Sequence, residues 1–251
     1  MRRGLGYGKY DTLFDSLVRQ HKVKDTLSFC VHRQGGYIQF GADAPTAPGT
    51  ISTPLVSHSK YYVLRIKGMK VGNTDLGLDS KTYNSGHGAI VDSGTSLSYF
   101  PRQAYQRMRT VFGQETKSMN LGRAERIDGA DCWRVNKVPG GIASFPTYSV
   151  DFDEAGMTEF HPVHYMFNHP QVKRPTHYCY GILDNGPAGL VLGSLFQRHF
   201  FMTIDREAKR IYMVPDMCGD EGTDEMKGYG LIRRTPIHQP TRAVKKSLCG
   251  L

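Results

Sequence analysis

The sequence predicts an all-β domain, a sandwich or barrel of many short strands with few helices. Three observations carry that expectation. Apolar residues come in short runs, several of them alternating with polar ones. Turn formers are abundant, with 28 Gly and 13 Pro among 251 residues, and they separate those runs without a collagen-like period. Only two segments, one after Asp11 and one after Pro101, keep helical spacing.

The elements follow in order. A first helix is expected over Asp11–His21, capped by Asp11 or Thr12, with Leu13, Phe14, Leu17 and Val18 on one face. Leu27–His32 and Tyr37–Phe40 flank a Gly35-Gly36 turn and read as a hairpin. Ala42–Gly49 is a Pro/Gly-rich loop. Tyr61–Lys67 sets Tyr62, Leu64 and Ile66 against charged neighbours, the pattern of a half-buried strand. Thr74–Gly88 reads as a hairpin and loop. Ala89-Ile90-Val91 is a short apolar strand that ends at Asp92.

Pro101 stands where a second helix begins, as a favoured first helical residue. Tyr105, Met108 and Phe112 follow at helical spacing, and Gly113 is a C-terminal cap. Tyr148, Val150 and Phe152 alternate as a strand. Gly189–Leu192 is apolar and ends at Gly193. Phe200–Asp205 and Arg210–Val214 form a closing hairpin. After Pro215 the apolar pattern fades, so the folded unit is expected to end near Met217.

Composition excludes several classes. Hydrophobic residues make up 39% of the chain, with 14 Tyr, 12 Phe and 1 Trp, which excludes a disordered chain. No apolar run is long enough for a transmembrane helix. The start, Met1 to Ser16, has basic residues without an apolar stretch after them, so it is not a signal peptide. The net charge of +9 is dispersed except in the segment 232–251. There Arg233, Arg234, Arg242, Lys245 and Lys246 stand without an acid, as in a solvated tail. No basic stripe is interleaved with aromatics, so nucleic-acid binding is not expected. The five cysteines, Cys30, Cys132, Cys179, Cys218 and Cys249, form no C-x-x-C pair.

The segment that bears chemistry is Ala89-Ile90-Val91-Asp92-Ser93-Gly94-Thr95-Ser96-Leu97. It sets an Asp at the tip of a buried strand, with Gly for a tight turn and hydroxyls on both sides. The Gly94 N–H and the Thr95 hydroxyl are within reach of the Asp92 carboxylate and favour its ionised form. A bare Asp-[Ser/Thr]-Gly-[Ser/Thr] arises by chance in about one chain in a hundred of this length, so its surroundings decide its meaning.

Those surroundings resemble the pepsin-like (family A1) aspartic proteases. Asp92-Ser93-Gly94-Thr95 resembles the family's second active-site motif, the one in its C-terminal lobe. Phe14-Asp15-Ser16-Leu17-Val18 resembles the helix before the lobe junction. Leu27-Ser28-Phe29 and Gly35-Gly36-Tyr37-Ile38-Gln39-Phe40-Gly41 resemble a strand and hairpin of the family, and Tyr61-Tyr62-Val63-Leu64 the strand entering the C-lobe. Leu190-Val191-Leu192-Gly193 resembles the run that crosses under the catalytic loop. Phe201–Arg206 and Ile211-Tyr212-Met213 resemble the closing hairpin. Cys132 and Cys179 fall where the family's C-lobe disulfide lies. The likeness covers Gly4 to Pro215.

The resemblance implies the C-terminal lobe of the bilobal acid-protease fold, a Greek-key barrel with a ψ-loop. Residues 1–60 would be a remnant of the N-terminal lobe and inter-lobe sheet, 61–217 the catalytic lobe and 218–251 a basic tail. It implies endopeptidase chemistry on a polypeptide, with no metal or cofactor, in a secretory, vesicular or extracellular setting. Asp92 would be one catalytic carboxylate, positioned by Ser93, Gly94 and Thr95. Cys132 and Cys179 would be disulfide-linked.

The chemistry needs two Asp carboxylates that share a proton. No other Asp in the chain is followed by Ser/Thr-Gly. The sequence begins at what resembles the end of the N-lobe, so the missing N-terminal lobe becomes the expected partner. A chain with one such Asp would be inactive alone, and its isolated lobe would expose apolar surface. Two other readings stay open: a non-catalytic protein that binds peptides or a partner, and a homodimer with one Asp92 per chain. Tyr99 and Phe100 either line a substrate pocket or pack in the core. His161, His164, His169 and His177 lie near Cys179; Pro162 and Pro170 deny them the helical frame of a metal motif.

Overall fold

The computed structural model describes residues 11–32, 35–57, 59–168 and 176–215. The expected end at Met217, the tail 218–251, His169, Pro170, Cys218 and Cys249 lie outside these residues. Among the described residues the strands make four sheets, accompanied by four α-helices. The fold is mostly β, as the alternation predicts. Among the described residues no sheet closes into a barrel, each ending in edge strands, and the mostly β architecture is consistent with a pepsin-like lobe. The outer strands of the sheet that carries Asp92, Val63–Leu64 and Ile182–Asp184, each pair on one side only among the described residues.

One antiparallel sheet runs in the order Gly35–Phe40, Thr26–His32, Phe200–Asp205, Arg210–Pro215, Ile51–Pro54. Segments near the two ends of the chain are therefore neighbours. Across the pairing, the buried hydroxyls of Ser28 and Thr203 bond each other at 2.9 Å. Gly35 and Gly36 belong to the second strand of the hairpin and are not its turn. Gly36 is needed for close approach, since a Cβ there would lie 2.2 Å from the Cys30 carbonyl oxygen. Cys30 itself takes part in a disulfide.

The helix Leu13–Arg19 is shorter than expected. Thr12 caps it through a reciprocal pair of bonds with Asp15. Of the expected apolar face only Phe14 is buried, and Leu13 is 71% exposed. Arg206, from the turn of the closing hairpin, ties the helix to the sheet. It pairs with Asp15 at 2.6 Å, pairs with Asp25, and lies 4.5 Å above the Phe14 ring.

The run expected as one strand over Tyr61–Lys67 divides at Arg65 into Val63–Leu64 and Ile66–Val71. The two pieces serve different sheets, while Tyr62, Leu64 and Ile66 are buried as the alternation predicts. Ile66–Val71 pairs with Tyr148–Phe152 and with Thr74–Asp75. Beyond that hairpin, Asp79 caps an unforeseen helix, Ser80–Tyr83. Asn84 then bonds both the N–H and the carbonyl of Ile66, replacing a strand partner at that point.

The helix Arg102–Ser118 corrects two expectations. Pro101 is its N-cap rather than its first residue, and Gly113 lies inside it. A C-terminal glycine cap needs the left-handed conformation, which Gly113 does not adopt and Asn120 does. The apolar stripe Ala104, Met108, Val111, Phe112 continues to Thr116, so burial outweighs the cost of an interior glycine, about 1 kcal/mol.

Phe112 is the hub of an aromatic core with Trp133, Phe145, Tyr148, Tyr165 and Tyr180 around it. Its floor is the sheet Met166–Asn168, His177–Tyr180, Ala130–Arg134, Glu125–Ile127, where Cys132 stands opposite Cys179 and is disulfide-linked to it. Among the described residues, no helix is long and apolar enough to cross a membrane.

Candidate active site

The sheet that carries Asp92 runs Ile182–Asp184, Ser98–Phe100, Leu190–Leu192, Ala89–Val91, Val63–Leu64. Its central feature is an insertion. Ala89–Val91 and Ser98–Phe100 are joined in sequence by 92–97, yet Leu190–Leu192 lies between them, parallel to the first and antiparallel to the second. The connecting loop therefore has to cross the end of Leu190–Leu192. Ala89, Ile90 and Val91 are all buried, so the strand that delivers Asp92 is fixed by packing.

At the crossing the Asp92 N–H donates to the Leu192 carbonyl at 3.1 Å. The Gly94 N–H donates to Asp92 Oδ1 at 3.0 Å and the Thr95 hydroxyl donates to Asp92 Oδ2 at 2.7 Å. Each carboxylate oxygen thus has its own donor. Burial by itself would push the Asp92 carboxyl up; hydrogen bonds, those from Thr95 and Gly94 among them, outweigh it and hold the group below its ordinary value of 3.8. Gly94 matters for space too, because a Cβ there would lie 3.3 Å from Asp92 Oδ1.

The loop rests on residues far along the chain. Gly193 passes beneath it so closely that a Cβ would lie 2.1 Å from the Leu97 carbonyl oxygen and 2.7 Å from that of Thr95. The next two residues open the short helix Ser194–Gln197. Their N–H groups donate upward, Ser194 to the Thr95 carbonyl at 2.6 Å and Leu195 to the Ser96 carbonyl at 3.0 Å. The buried Gln197 amide donates to the Leu192 carbonyl at 2.9 Å and holds the helix against its strand. This arrangement presents an ionised carboxylate at a fixed position beside an exposed turn. Such a group can take a proton from a water molecule.

The structure brings Asp92, Gly94 and Thr95 together. Ser93 is half-buried in the same turn. Tyr99 is half-buried opposite Val191 and Leu183. Phe100 is 2% exposed and belongs to the hydrophobic core, so it lines no cleft here. Cys179 is bound to Cys132, which removes its sulfur as a metal ligand, and His164 is buried against a backbone carbonyl. Gly193, Ser194 and Leu195 support the loop from below. The run Leu190–Gly193 points to the first of these, but no local pattern reveals the other two.

Most of the chain matches known proteins in sequence. The family model described as eukaryotic aspartyl protease matches residues 4–215. Aspartic proteinase nepenthesin-2 of Nepenthes gracilis is 25% identical over 206 residues, covering 76% of this chain and 45% of that protein. Aspartic proteinase 36 of Arabidopsis thaliana is 22% identical over 224 residues, 85% of this chain and 44% of that protein. Aspartic proteinase 39 of the same plant is 26% identical over 179 residues, 70% of this chain and 35% of that protein. The chain spans less than half the length of these relatives.

Proposed function

The chain belongs to the eukaryotic aspartyl proteases, and from that premise we propose that Asp92 is one of the two catalytic carboxylates of a pepsin-like endopeptidase. The observation that carries this reading is the held carboxylate: Asp92 at the end of a buried strand, with one donor for each oxygen, on a loop clamped from below. In the reaction an ionised Asp takes a proton from a water whose oxygen attacks the peptide carbonyl carbon. The protonated partner gives its proton to the carbonyl oxygen. Two carboxylates this close cannot both ionise, so one proton is shared between them. Thr95 and Gly94 hold Asp92 in place, Ser93 completes the turn, and Tyr99 borders the cleft. Phe100 acts through packing.

The second carboxylate belongs, on this reading, to an N-terminal lobe. Relatives of which this chain covers less than half have room for one. Residues up to 60 are then the end of that lobe and the inter-lobe sheet, 61–217 the catalytic lobe and 218–251 a tail. The pairing of Thr26–His32 with Phe200–Asp205 supports an inter-lobe sheet shared by both parts. So does an apolar set left exposed beside it, Leu13, Tyr37, Ile38 and Phe40. The substrate is a polypeptide cut beside apolar side chains in an acidic secretory or vesicular compartment, and the chain by itself is inactive.

The test is acid-dependent cleavage of denatured globin by the native species captured with an antibody to this chain. We expect cleavage blocked by a statine-type inhibitor, a native mass well above 28.1 kDa, and loss of cleavage in Asp92→Asn. A native species of that mass that neither cleaves nor binds the inhibitor would replace this reading with a non-catalytic, peptide-binding one. Full cleavage by Asp92→Asn would remove Asp92 from the chemistry.

A further inference from the structure

The Asp92 loop stands on a four-residue helix, and a helix that short has no stability of its own. Something must hold each end. The leading end is held by the Asp92 loop, and the last residue, Gln197, is tied to the Leu192 carbonyl, as above. The trailing turn is also met by His164, a residue 32 positions before Phe196 in the chain. His164 closes the 3-10 turn Pro162–His164 and is 5% exposed. Its Nδ1 lies 3.2 Å from the carbonyl oxygen of Phe196, inside the short helix. A carbonyl only accepts, so in this bond Nδ1 carries the proton and donates, with the Arg198 backbone as a second hydrogen-bond partner of the ring. The ring cannot swing away. Phe200 stacks on it at 4.7 Å, and Phe160 meets it edge-on at 5.7 Å.

His199, which meets the ring at 6.0 Å, and His161, in the same turn, oppose a charge on His164, while backbone hydrogen bonds with Phe196 and Arg198 favour one. A positive charge on His164 would be buried in an apolar pocket, the largest factor against it. Burial first, then His199, pushes its pKa down to about 3. The imidazole is therefore neutral and acts as a fixed hydrogen-bond donor over nearly the whole pH range.

We propose that His164 is a positioning residue for the Asp92 loop: its Nδ1–H, donated to the Phe196 carbonyl, fixes the short helix whose Ser194 and Leu195 N–H groups hold the Thr95 and Ser96 carbonyls. The Thr95 hydroxyl reaches Asp92 only while that loop keeps its shape. The role rests on Asp92 being the working carboxylate, but its physical content, control of the Asp92 environment, does not.

The experiment is therefore run without a cleavage assay, on the full 251-residue chain. The carboxyl carbons of Asp92 and Asp131 are titrated by NMR in wild type, His164→Phe and His164→Asn. Phenylalanine keeps the stacked ring and removes the donor. Asparagine places an amide N–H close to where Nδ1 stood. Asp131, held by Arg126 and Arg109, reports on the rest of the lobe. In His164→Phe the Asp92 pKa should rise by about half a unit to one unit, with Asp131 unmoved, and His164→Asn should restore the wild-type value. An unchanged Asp92 titration in His164→Phe overturns the proposal. So does an equal movement of Asp131, which would mean general loosening, or failure of asparagine to restore. If His164→Phe does not fold, His164→Met fills the space without a donor, and the same two carboxyls decide. An Asp92 shift with an inert native protein would leave this coupling standing and defeat the protease reading alone.

Discussion

Replacing Thr95 by valine tests the central physical argument directly. The two side chains have the same shape, so the change swaps a hydroxyl for a methyl at the point where Oγ1 stands 2.7 Å from Asp92 Oδ2. A hydrogen bond to a charged group contributes about 1.5–3 kcal/mol when it is shielded. Asp92 is only half-buried, and water will replace part of the lost bond, so the effect belongs at or below the low end, about 1–1.5 kcal/mol. At 1.36 kcal/mol per unit, the Asp92 pKa should rise by about one unit.

The sign follows from linkage. The folded-state pKa of Asp92 lies below its ordinary 3.8, so its contribution to stability is present above that value and is lost as pH falls through the folded pKa. Thr95→Val should therefore be less stable than wild type at pH 7 by about 1 kcal/mol, with the gap closing in strong acid. The assay is an NMR titration of the Asp92 carboxyl carbon, paired with urea unfolding at neutral and acid pH. An Asp92 pKa that stays within about 0.2 unit of wild type, or falls, refutes the claim that Thr95 holds the carboxylate. A stability gap that is the same at all pH values would show that valine acts through packing instead.

Four further outcomes are expected. Gly193→Ala forces a methyl into the Leu97 and Thr95 carbonyls, so the loop or the strand must move; a loss of about 3 kcal/mol or more in urea unfolding is expected, and a wild-type midpoint would contradict the crossing described. Arg206→Met keeps an apolar stem over Phe14 but strands Asp15 and Asp25, which should cost about 2 kcal/mol at pH 7 and much less near pH 2, read by thermal unfolding at both. Phe112→Ala empties the centre of the aromatic core and should cost about 3–5 kcal/mol by urea unfolding. Finally, His164 is neutral in the fold and titrates near its ordinary 6.5 when unfolded, so it lowers stability as pH drops from 6.5 towards 3. By pH 4 that loss reaches about 3 kcal/mol, and the stability of His164→Phe relative to wild type should improve over this window; a pH-independent difference would sink the argument.

Local pattern made much of the fold legible. Ala89–Val91, Tyr148–Phe152 and the hairpin Phe200–Asp205 with Arg210–Pro215 appear where alternation and turn chemistry place them. So does Asp92, because strand, turn glycine and hydroxyl donor are contiguous in sequence. Elements whose cause is not local were missed. Glu125–Ile127 is polar on its surface and exists because Ala130–Arg134 pairs with it. Gly113 reads as a stop, yet the burial of Thr116 carries the helix past it. Phe100 reads equally as pocket or core until its neighbours are known.

What the sequence alone determined is thus the all-β character, the strand that ends in Asp92 and the two donors that hold its carboxylate. Only the tertiary structure decided that Leu190–Leu192 enters between two strands adjacent in sequence, that Ser194 and Leu195 hold the loop from below, and that His164 and Phe196 meet. The division has a physical reason. Backbone preference, burial periodicity and turn chemistry act over a few residues and leave their mark in the order of the chain. Sheet insertion and the hydrogen bond at the far end of a short helix join positions about 30 to 100 residues apart, and no spacing rule encodes which of them will touch.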